Sequence, residues 1–597
     1  MRLATLSAFV ALGVHLAEAK VYNSLDELLT SRAKKYDFVI VGGGVAGSVL
    51  ANRLSEDRRS NVLLIEAGPN DEGVEELRVP GYTYSGKINS TYYWGSVSTP
   101  QKGLGGRTIE FTRGHVLGGG SSINGMVYTR GSQDDYDLWE RESGDPGWSW
   151  KAMLPYFKKN EKFIPHTHRS VEGQYDPTTH GYRGRTLVTL PWANSTEFYD
   201  RALKNSKIQP EFAYNIDVNN GKPVGLTLVD SWKAWLQSTI GHGERSSASV
   251  SYLDPKTRQR PNLDILVNTY ATRVLPVSNS ISRTPDIRTV ELIPRRRGNT
   301  LPIEQIRRTT ITAAKELILS AGAIGSSHLL LNSGIGDRKD LDEVGVKTIH
   351  HLPDVGKDLS EHMTVALSWN ATGAIPPPVD PDAAYEEWKK HRTGPLVDLV
   401  GQQVLWARLP SDSPIFKQYK DPASGPTSPH VELTLSGSGA GVGAFIVLLT
   451  PHSRGTIKIR SNNPTEEPLI DLGFLTHPFD ILAFKESIRL AKRFYSGPAW
   501  EGYITGFNGP DPDTLSDEEF LKRVQESTGS FYHPAGVTKI SPKGSKKGVL
   551  DPDLRVKGVK GLRVVDAGII PYVPTSHTQA SVYVIAERAS DLIKASW

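Results

Sequence analysis

The chain has no cysteine among its 597 residues. Disulfides, thiolate nucleophiles and cysteine-ligated metals are therefore excluded, and no metal site is expected. Long apolar runs are missing as well. Beyond the N-terminus, no segment offers the roughly 18 unbroken apolar residues that a spanning helix needs, so no membrane anchor is expected. Charge of one sign is also lacking. Lys and Arg number 69 against 65 Asp and Glu, a net charge of +4. The basic residues are spread along the chain, which argues against a nucleic-acid or membrane-surface role. Their densest cluster is Arg295, Arg296 and Arg297, with Arg307 and Arg308 nearby. It lies between two strand-like runs and reads as a solvated hairpin tip.

What is present is a large globular composition. The length implies two or more domains, possibly interleaved. Residues 1–19 read as a secretory signal: Arg2, a short apolar core, then Ala17-Glu18-Ala19. Secretion is the expected localisation. Three glycosylation triplets agree with it, at Asn89, Asn194 and Asn370. A large core must then stand in for disulfides.

The mature chain opens on a helical run, SLDELLTSRAKK. The next stretch, YDFVIVGGGVAGSVLANRLSEDRRSNVLLIEAG, reads as strand, glycine turn, helix, strand. The expected elements are a buried strand Asp37–Val41, a helix Val45–Leu54 and a buried strand Val62–Ile65. Together they make a right-handed βαβ unit. Gly42, Gly44 and Gly47 form G-x-G-x-x-G at its turn. The first glycine permits the tight turn, the second lets backbone approach a pyrophosphate, and the third lets helix and strand pack closely. The helix N-terminus then offers free N–H groups to phosphate. Glu66 closes the second strand, 24 positions after Gly42, and is placed to accept from ribose hydroxyls. This is a dinucleotide site. The fingerprint alone does not separate NAD from FAD.

The middle of the chain is less regular. Residues 373–384 and 421–430 are Pro-rich and read as loops. The Gly-rich run 436–445 leads into an apolar strand, IVLLT, and a strand-rich stretch follows. No internal repeat occurs.

A second glycine-rich stretch, RGHVLGGGSSINGMVYTRG, runs from Arg113 to Gly131. Its exposed backbone suits a flat ring and a pyrophosphate. It resembles the first motif of the glucose–methanol–choline (GMC) oxidoreductases. GAIGSSHLLLNSGIG, Gly322 to Gly336, resembles their second motif, and the segment from Leu562 resembles their closing segment. The type is similar to secreted fungal aryl-alcohol oxidase and pyranose dehydrogenase.

The resemblance implies an α/β fold, α+β overall. A Rossmann-like FAD-binding domain of discontinuous segments would accompany a substrate domain with an antiparallel sheet. Residues 36–350 would be mainly FAD-binding, 351–549 mainly substrate-binding, and 550–597 a return to the FAD domain. Carried over residue by residue, the cofactor set gains Gly118, Gly119, Ser122, Asn124, Gly125, Met126 and Val127. It also gains the backbone of Ala271 at the adenine, Asp566 and Ala567 at the flavin's linker, and Thr578 and Gln579 at the pyrimidine ring. Some members attach FAD through a histidine just before the Asn of the first motif. Here Ile123 precedes Asn124. A carbon side chain cannot form that bond, so FAD is expected to be non-covalent. His115 also departs from the family's usual residue and carries no functional conclusion.

The family's catalytic pair matches His533, in FYHPAG, and His577, 44 positions later. Val537 stands where the family usually has Thr, behind the histidine. Oxidising an alcohol removes a hydride from carbon and a proton from oxygen. Flavin N5 would take the hydride. Imidazole suits the proton at neutral pH. His533 would be the base and His577 the orienting partner. His115, His328, His351 and His362 lack such a context and read as structural. Tyr92, Tyr93 and Tyr532 are candidate walls of an aromatic pocket.

The last helix shows apolar residues Val582, Ile585, Ala586, Ala589, Leu592 and Ile593 at helical spacing, which predicts one buried face. Its N-terminus would stabilise anionic reduced flavin. The expected substrate is a small alcohol, aromatic or otherwise primary, with O₂ or another acceptor reoxidising the flavin. A monomer or homodimer is expected. The alternative is an FAD-containing lyase or cyclase of secondary metabolism, using the same histidines without net redox change.

Overall fold

The computed structural model describes residues 21–31, 34–165, 170–192, 196–224, 231–277, 284–294, 306–373, 378–398, 401–438 and 441–597. The signal segment 1–19, the triplet at Asn194 and the arginines 295–297 lie outside the described residues.

The dinucleotide unit forms as its sequence dictates. Strands Phe38–Val41 and Val62–Ile65 are fully buried, and helix Val45–Leu54 connects them. Strands covered on both faces read as unbroken apolar runs. They lie at the centre of a six-stranded parallel sheet ordered Val21–Tyr22, Leu263–Leu266, Val62–Ile65, Phe38–Val41, Glu316–Leu319, Leu562–Val564. The chain thus leaves and re-enters this sheet several times, and the last strand comes from the C-terminal segment. A separate antiparallel meander, Thr269–Pro276, Ile287–Pro294 and Thr309–Thr312, flanks it. Its last two strands bracket the arginine cluster.

The second body is an eight-stranded sheet, antiparallel but for one pair. Its long strands are Met363–Ala371, Gln403–Ala407, Val431–Ser438 and Gly441–Leu448. Strand Met363–Ala371 alternates buried and less buried positions, as a half-covered sheet requires. Two of its strands, Phe212–Tyr214 and Ser231–Trp235, come from the segment expected to be mainly cofactor-side.

Several expectations shift. The opening helical run is shorter than its sequence suggests, Leu25–Thr30, and a two-residue strand precedes it. The Pro-rich run 373–384 is not all loop. A helix starts at Pro381, where proline's missing N–H costs nothing at the first turn, and Asp380 caps it. The Gly-rich run 436–445 straddles the tip of a hairpin, with the second strand already under way at Gly441.

The closing helix Gln579–Lys594 is buried nearly all round, not on one face. Its polar side is covered because the dinucleotide helix packs there. Glu587 on that side is fully buried and pairs with Arg53 at 2.7 Å, Lys159 at 2.9 Å and the Tyr252 hydroxyl at 2.7 Å. Charge pairing permits a helix face that apolar periodicity does not reveal.

Candidate active site

The first glycine loop fits a dinucleotide phosphate. Gly42 has φ +104°, and a side chain there would meet the Ser320 carbonyl at 2.4 Å. A Cβ on Gly47 would sit 1.8 Å from the Gly42 carbonyl oxygen. Gly44 caps the helix without a side chain, so the first N–H groups stay open. The second glycine loop packs directly on the first. Gly118 N–H donates to the Gly43 carbonyl at 2.7 Å, and a Cβ on Gly119 would meet Gly44 Cα at 2.7 Å. Ser122 turns inward to donate to the Leu117 carbonyl at 2.8 Å.

Glu66 is buried and accepts from Gly43 N–H and Gly68 N–H, each at 2.7 Å. Burial pushes its carboxyl up to about 7 against the pull of these amides. It ties the loop closed while each oxygen keeps a second lone pair for a ribose hydroxyl. Asp566 is similar. It accepts from Ser326 Oγ at 2.5 Å and Gly568 N–H at 2.8 Å, beside Ala567, and burial raises it to about 6. Ala271 lies at a register shift of its strand, next to Tyr270, whose hydroxyl meets Nε2 of His115 at 3.2 Å. His115 is thus buried beside the strand that carries Ala271.

Asn124, Met126, Val127 and Gln579 form one cluster. Asn124 Nδ2 donates to Gln579 Oε1 at 2.9 Å, and Asn124 Oδ1 accepts from Met126 N–H at 3.0 Å. Met126 is buried with φ +61°, a strained setting for a long side chain. The Gly125 carbonyl accepts from the Tyr84 hydroxyl at 3.1 Å. Thr578 opens the closing helix with no side-chain cap, leaving its N–H groups available. The first glycine motif, the second and the helix start are therefore joined by direct contacts, and together they fit FAD.

The histidines adjoin the start of the closing helix. His533 and His577 face each other at 5.1 Å between ring centroids, 76° apart. His533 is 9 % exposed, and burial with His577 and His362 holds it well below the ordinary imidazole range. It is a neutral ring whose Nε2 makes no protein hydrogen bond among the described residues. His577 Nε2 lies 3.1 Å from Glu432 Oε1. Glu432 is fully buried. Burial pushes it up, but His577, Thr434 and Trp406 outweigh that and hold it below the usual carboxylate range. A carboxylate only accepts, so the shared proton belongs to Nε2 of His577.

Two residues that sequence reasoning passed over belong here. Glu432 comes from the middle of the eight-stranded sheet, and no local signal marks it. His362 was read as structural, yet its Nδ1 lies 2.9 Å from Nδ1 of His533. The "SEH" before the strand Met363–Ala371 pairs with the segment around "HPAG": Ser360 bridges Ala535, and Met363 lies opposite Ser530. His328 lies elsewhere, half-buried, and is lowered to about 4 by burial and Arg113. His351 is exposed and accepts from Arg338 N–H.

The tyrosines separate from the pair. Tyr532 has φ +62°, is 51 % exposed and packs on Phe111, swung away from the neighbouring His533. Tyr92 and Tyr93 pack against the cluster containing Ile123 and Val116. The aromatic side chain at the pair is Phe531, 5.3 Å from the His533 ring and 5.2 Å from that of His577. It packs on an apolar cluster with Met126, Trp406 and Leu449, flanked by Trp192.

Two family models, both described as GMC oxidoreductase, match residues 36–364 and 451–586. The chain belongs to the GMC oxidoreductase family and is an FAD-dependent oxidoreductase acting on CH–OH donors. It is 38 % identical over 620 residues to dehydrogenase eriK of Hericium erinaceus, covering 99 % of each chain. It is also 38 % identical to pyranose dehydrogenase of Agaricus xanthodermus, covering 99 % of this chain and 98 % of that one. A fungal aryl-alcohol oxidase structure superposes with a TM-score of 0.80 at 26 % identity, covering 95 % of this chain and 100 % of that one. These relatives are oxidising enzymes, so the lyase or cyclase alternative is not favoured. No helix among the described residues is long and apolar enough to cross a membrane.

Proposed function

We propose that the chain oxidises an aromatic or other primary alcohol, with His533 as base and His577 as its partner. The observation that carries this is the unequal anchoring of the two rings. His577 is held by a buried carboxylate, while His533 is buried, neutral and open at Nε2. Bound FAD supplies the hydride acceptor. The substrate hydroxyl gives its proton to Nε2 of His533, a base already unprotonated at neutral pH. His577 stands beside that oxygen as the partner ring, with its Nε2–H donated to Glu432, which fixes the ring's angle. Phe531 and the apolar cluster behind it exclude water and favour an apolar substrate body. The likeness to pyranose dehydrogenases supports a second reading, a sugar hydroxyl.

FAD is held without a covalent bond, because Ile123 has no nucleophilic atom. The protein is secreted after removal of residues 1–19, and Asn89 and Asn370 are exposed for glycosylation. O₂ or another acceptor reoxidises the flavin, and the chain acts as a monomer or homodimer.

The test is anaerobic flavin bleaching by aryl alcohols, other primary alcohols and sugars. Bleaching by aryl or primary alcohols supports the reading. Bleaching by sugars alone transfers it to the second. A flavin that no alcohol or sugar reduces overturns both.

A further inference from the structure

His362 is fully buried, and its ring stands at 83° to that of His533 with their Nδ1 atoms 2.9 Å apart. At that separation one nitrogen donates and the other accepts. Two arrangements are available. If His362 donates, His533 carries its own proton on Nε2 and cannot act there as a base. If His533 donates, its Nε2 is bare and the His362 proton sits on Nε2.

The reading of His533 as the base distinguishes them: a ring that takes the substrate's proton at Nε2 carries its own on Nδ1 and donates it to Nδ1 of His362. The carbonyls of Leu449 and Pro574 bear on the His362 ring and favour a ring N–H, as does the negative charge of Glu432. Neither carbonyl closes to a full hydrogen bond with Nε2. Burial, with His577 nearby, lowers His362 to about 3, so it stays neutral. The backbone is fixed as well. Phe531 N–H donates to the His362 carbonyl at 3.0 Å, and His533 N–H donates to Glu361 at 2.8 Å. Glu361 is itself raised to about 8 by burial, so at neutral pH it is mostly uncharged.

We propose that His362 is a positioning residue that holds His533 in its Nδ1–H tautomer, leaving Nε2 bare for the substrate's hydroxyl proton. This rests on the reading of His533 as the base. In the step, the substrate O–H bond breaks and an Nε2–H bond forms. Bound FAD would supply the acceptor for the hydride on the carbon that bears this oxygen, and the C–O bond would become a carbonyl. His533 becomes an imidazolium, and its Nδ1–H bond to His362 becomes charge-assisted and stronger. A neutral orienting ring gives this help without the large rise in basicity that a carboxylate would bring. His533 therefore stays unprotonated in the resting state.

The experiment compares His362→Leu with His362→Asn, whose side-chain oxygen is an acceptor near the position of Nδ1. Flavin content and thermal midpoint first establish that each variant is folded and loaded. His362→Leu should slow anaerobic flavin reduction by about 10- to 100-fold, leaving substrate affinity within about threefold. His362→Asn should recover most of that loss. Independently, ¹⁵N ring shifts of histidine-labelled enzyme, assigned by substitution, should show His533 protonated on Nδ1 and bare on Nε2. In His362→Leu the two nitrogens should move towards each other. A protonated Nε2 in the wild type, a wild-type rate in His362→Leu, or equal losses in Leu and Asn each overturn the proposal. If no alcohol reduces the wild-type flavin, the functional reading fails, while the ring shifts still decide the tautomer.

Discussion

Glu432 Oε1 lies 3.1 Å from Nε2 of His577, joining the centre of the eight-stranded sheet to the turn before the closing helix. The carboxylate is fully buried, and Trp406 Nε1 and Thr434 Oγ1 donate to it at 2.9 Å each. A buried charge so satisfied is kept for orientation, since burial alone makes it costly. Glu432→Gln keeps the shape but removes the charge, and its amide can flip to present N–H to His577. Flavin reduction should fall by about 10- to 100-fold at nearly unchanged substrate affinity. Stopped-flow reduction across substrate concentrations separates the two. A rise in apparent dissociation constant with an unchanged limiting rate would remove the orienting role.

The glycine cradle makes a sharper prediction. Gly47→Ala puts a methyl 1.8 Å from the Gly42 carbonyl oxygen, where nothing flexible can yield. The helix must move away from the strand, and the phosphate site opens. The purified variant should hold roughly a tenth or less of the wild-type flavin. Gly73→Ala is a useful comparison. Its φ is +77° with open space around it, so it should suffer backbone strain while keeping its flavin. The ratio of flavin to protein absorbance reads both.

The dinucleotide unit was legible because its signals are local. Two apolar runs, three glycines and an acid fall within thirty residues, and the strand and helix limits from Val45 to Ile65 agree with the structure. His533 and His577 were legible only through the family resemblance, and the structure brings their rings together. Glu432, His362 and Phe531 were not legible. Each sits in or beside a strand whose pattern reports only burial; Glu432 and His362 reach the site through pairings across 145 and 171 residues, and Phe531 through ring contacts with both histidines. Tyr532 was misleading for a related reason. Composition places an aromatic side chain beside His533, but only its φ of +62° tells that it turns outward. The buried set Arg130, Glu161, His180 and Asp217 also escaped, because paired charges look like surface residues in a sequence.

Glu361 should make stability depend on pH in an unusual sense. Its ordinary value is 4.5, and burial raises it to about 8. Between those values the folded protein keeps a proton that the unfolded chain has lost. Raising the pH through that window therefore costs stability, by up to about 1.4 kcal/mol per pH unit. Below about 4.5 the contribution vanishes. Glu361→Gln lacks the titration. Relative to wild type, its thermal midpoint should climb steadily from pH 5 to pH 8 and then level off. A constant difference over that range would show that Glu361 does not titrate there.

Ile123 bears on how the flavin is held. It is buried with Val116, Leu77 and Ile88, beside Asn124 and the second glycine loop. A branched alkyl group at this position packs but forms no bond to a ring carbon. Denaturing the purified protein in cold acid should therefore release all of its FAD into the supernatant, leaving a colourless pellet. Ile123→His restores the nucleophilic ring nitrogen found at this position in the covalent members that the first motif resembles. Its pellet should retain flavin if the ring methyl group lies within bonding reach. Substitution also puts a polar ring into an apolar cluster, so a few kcal/mol of destabilisation is expected, and a lower thermal midpoint should accompany the retained colour. Yellow colour in the wild-type pellet would mean that another side chain makes the bond, and peptide mapping of the flavin-bearing fragment would name it.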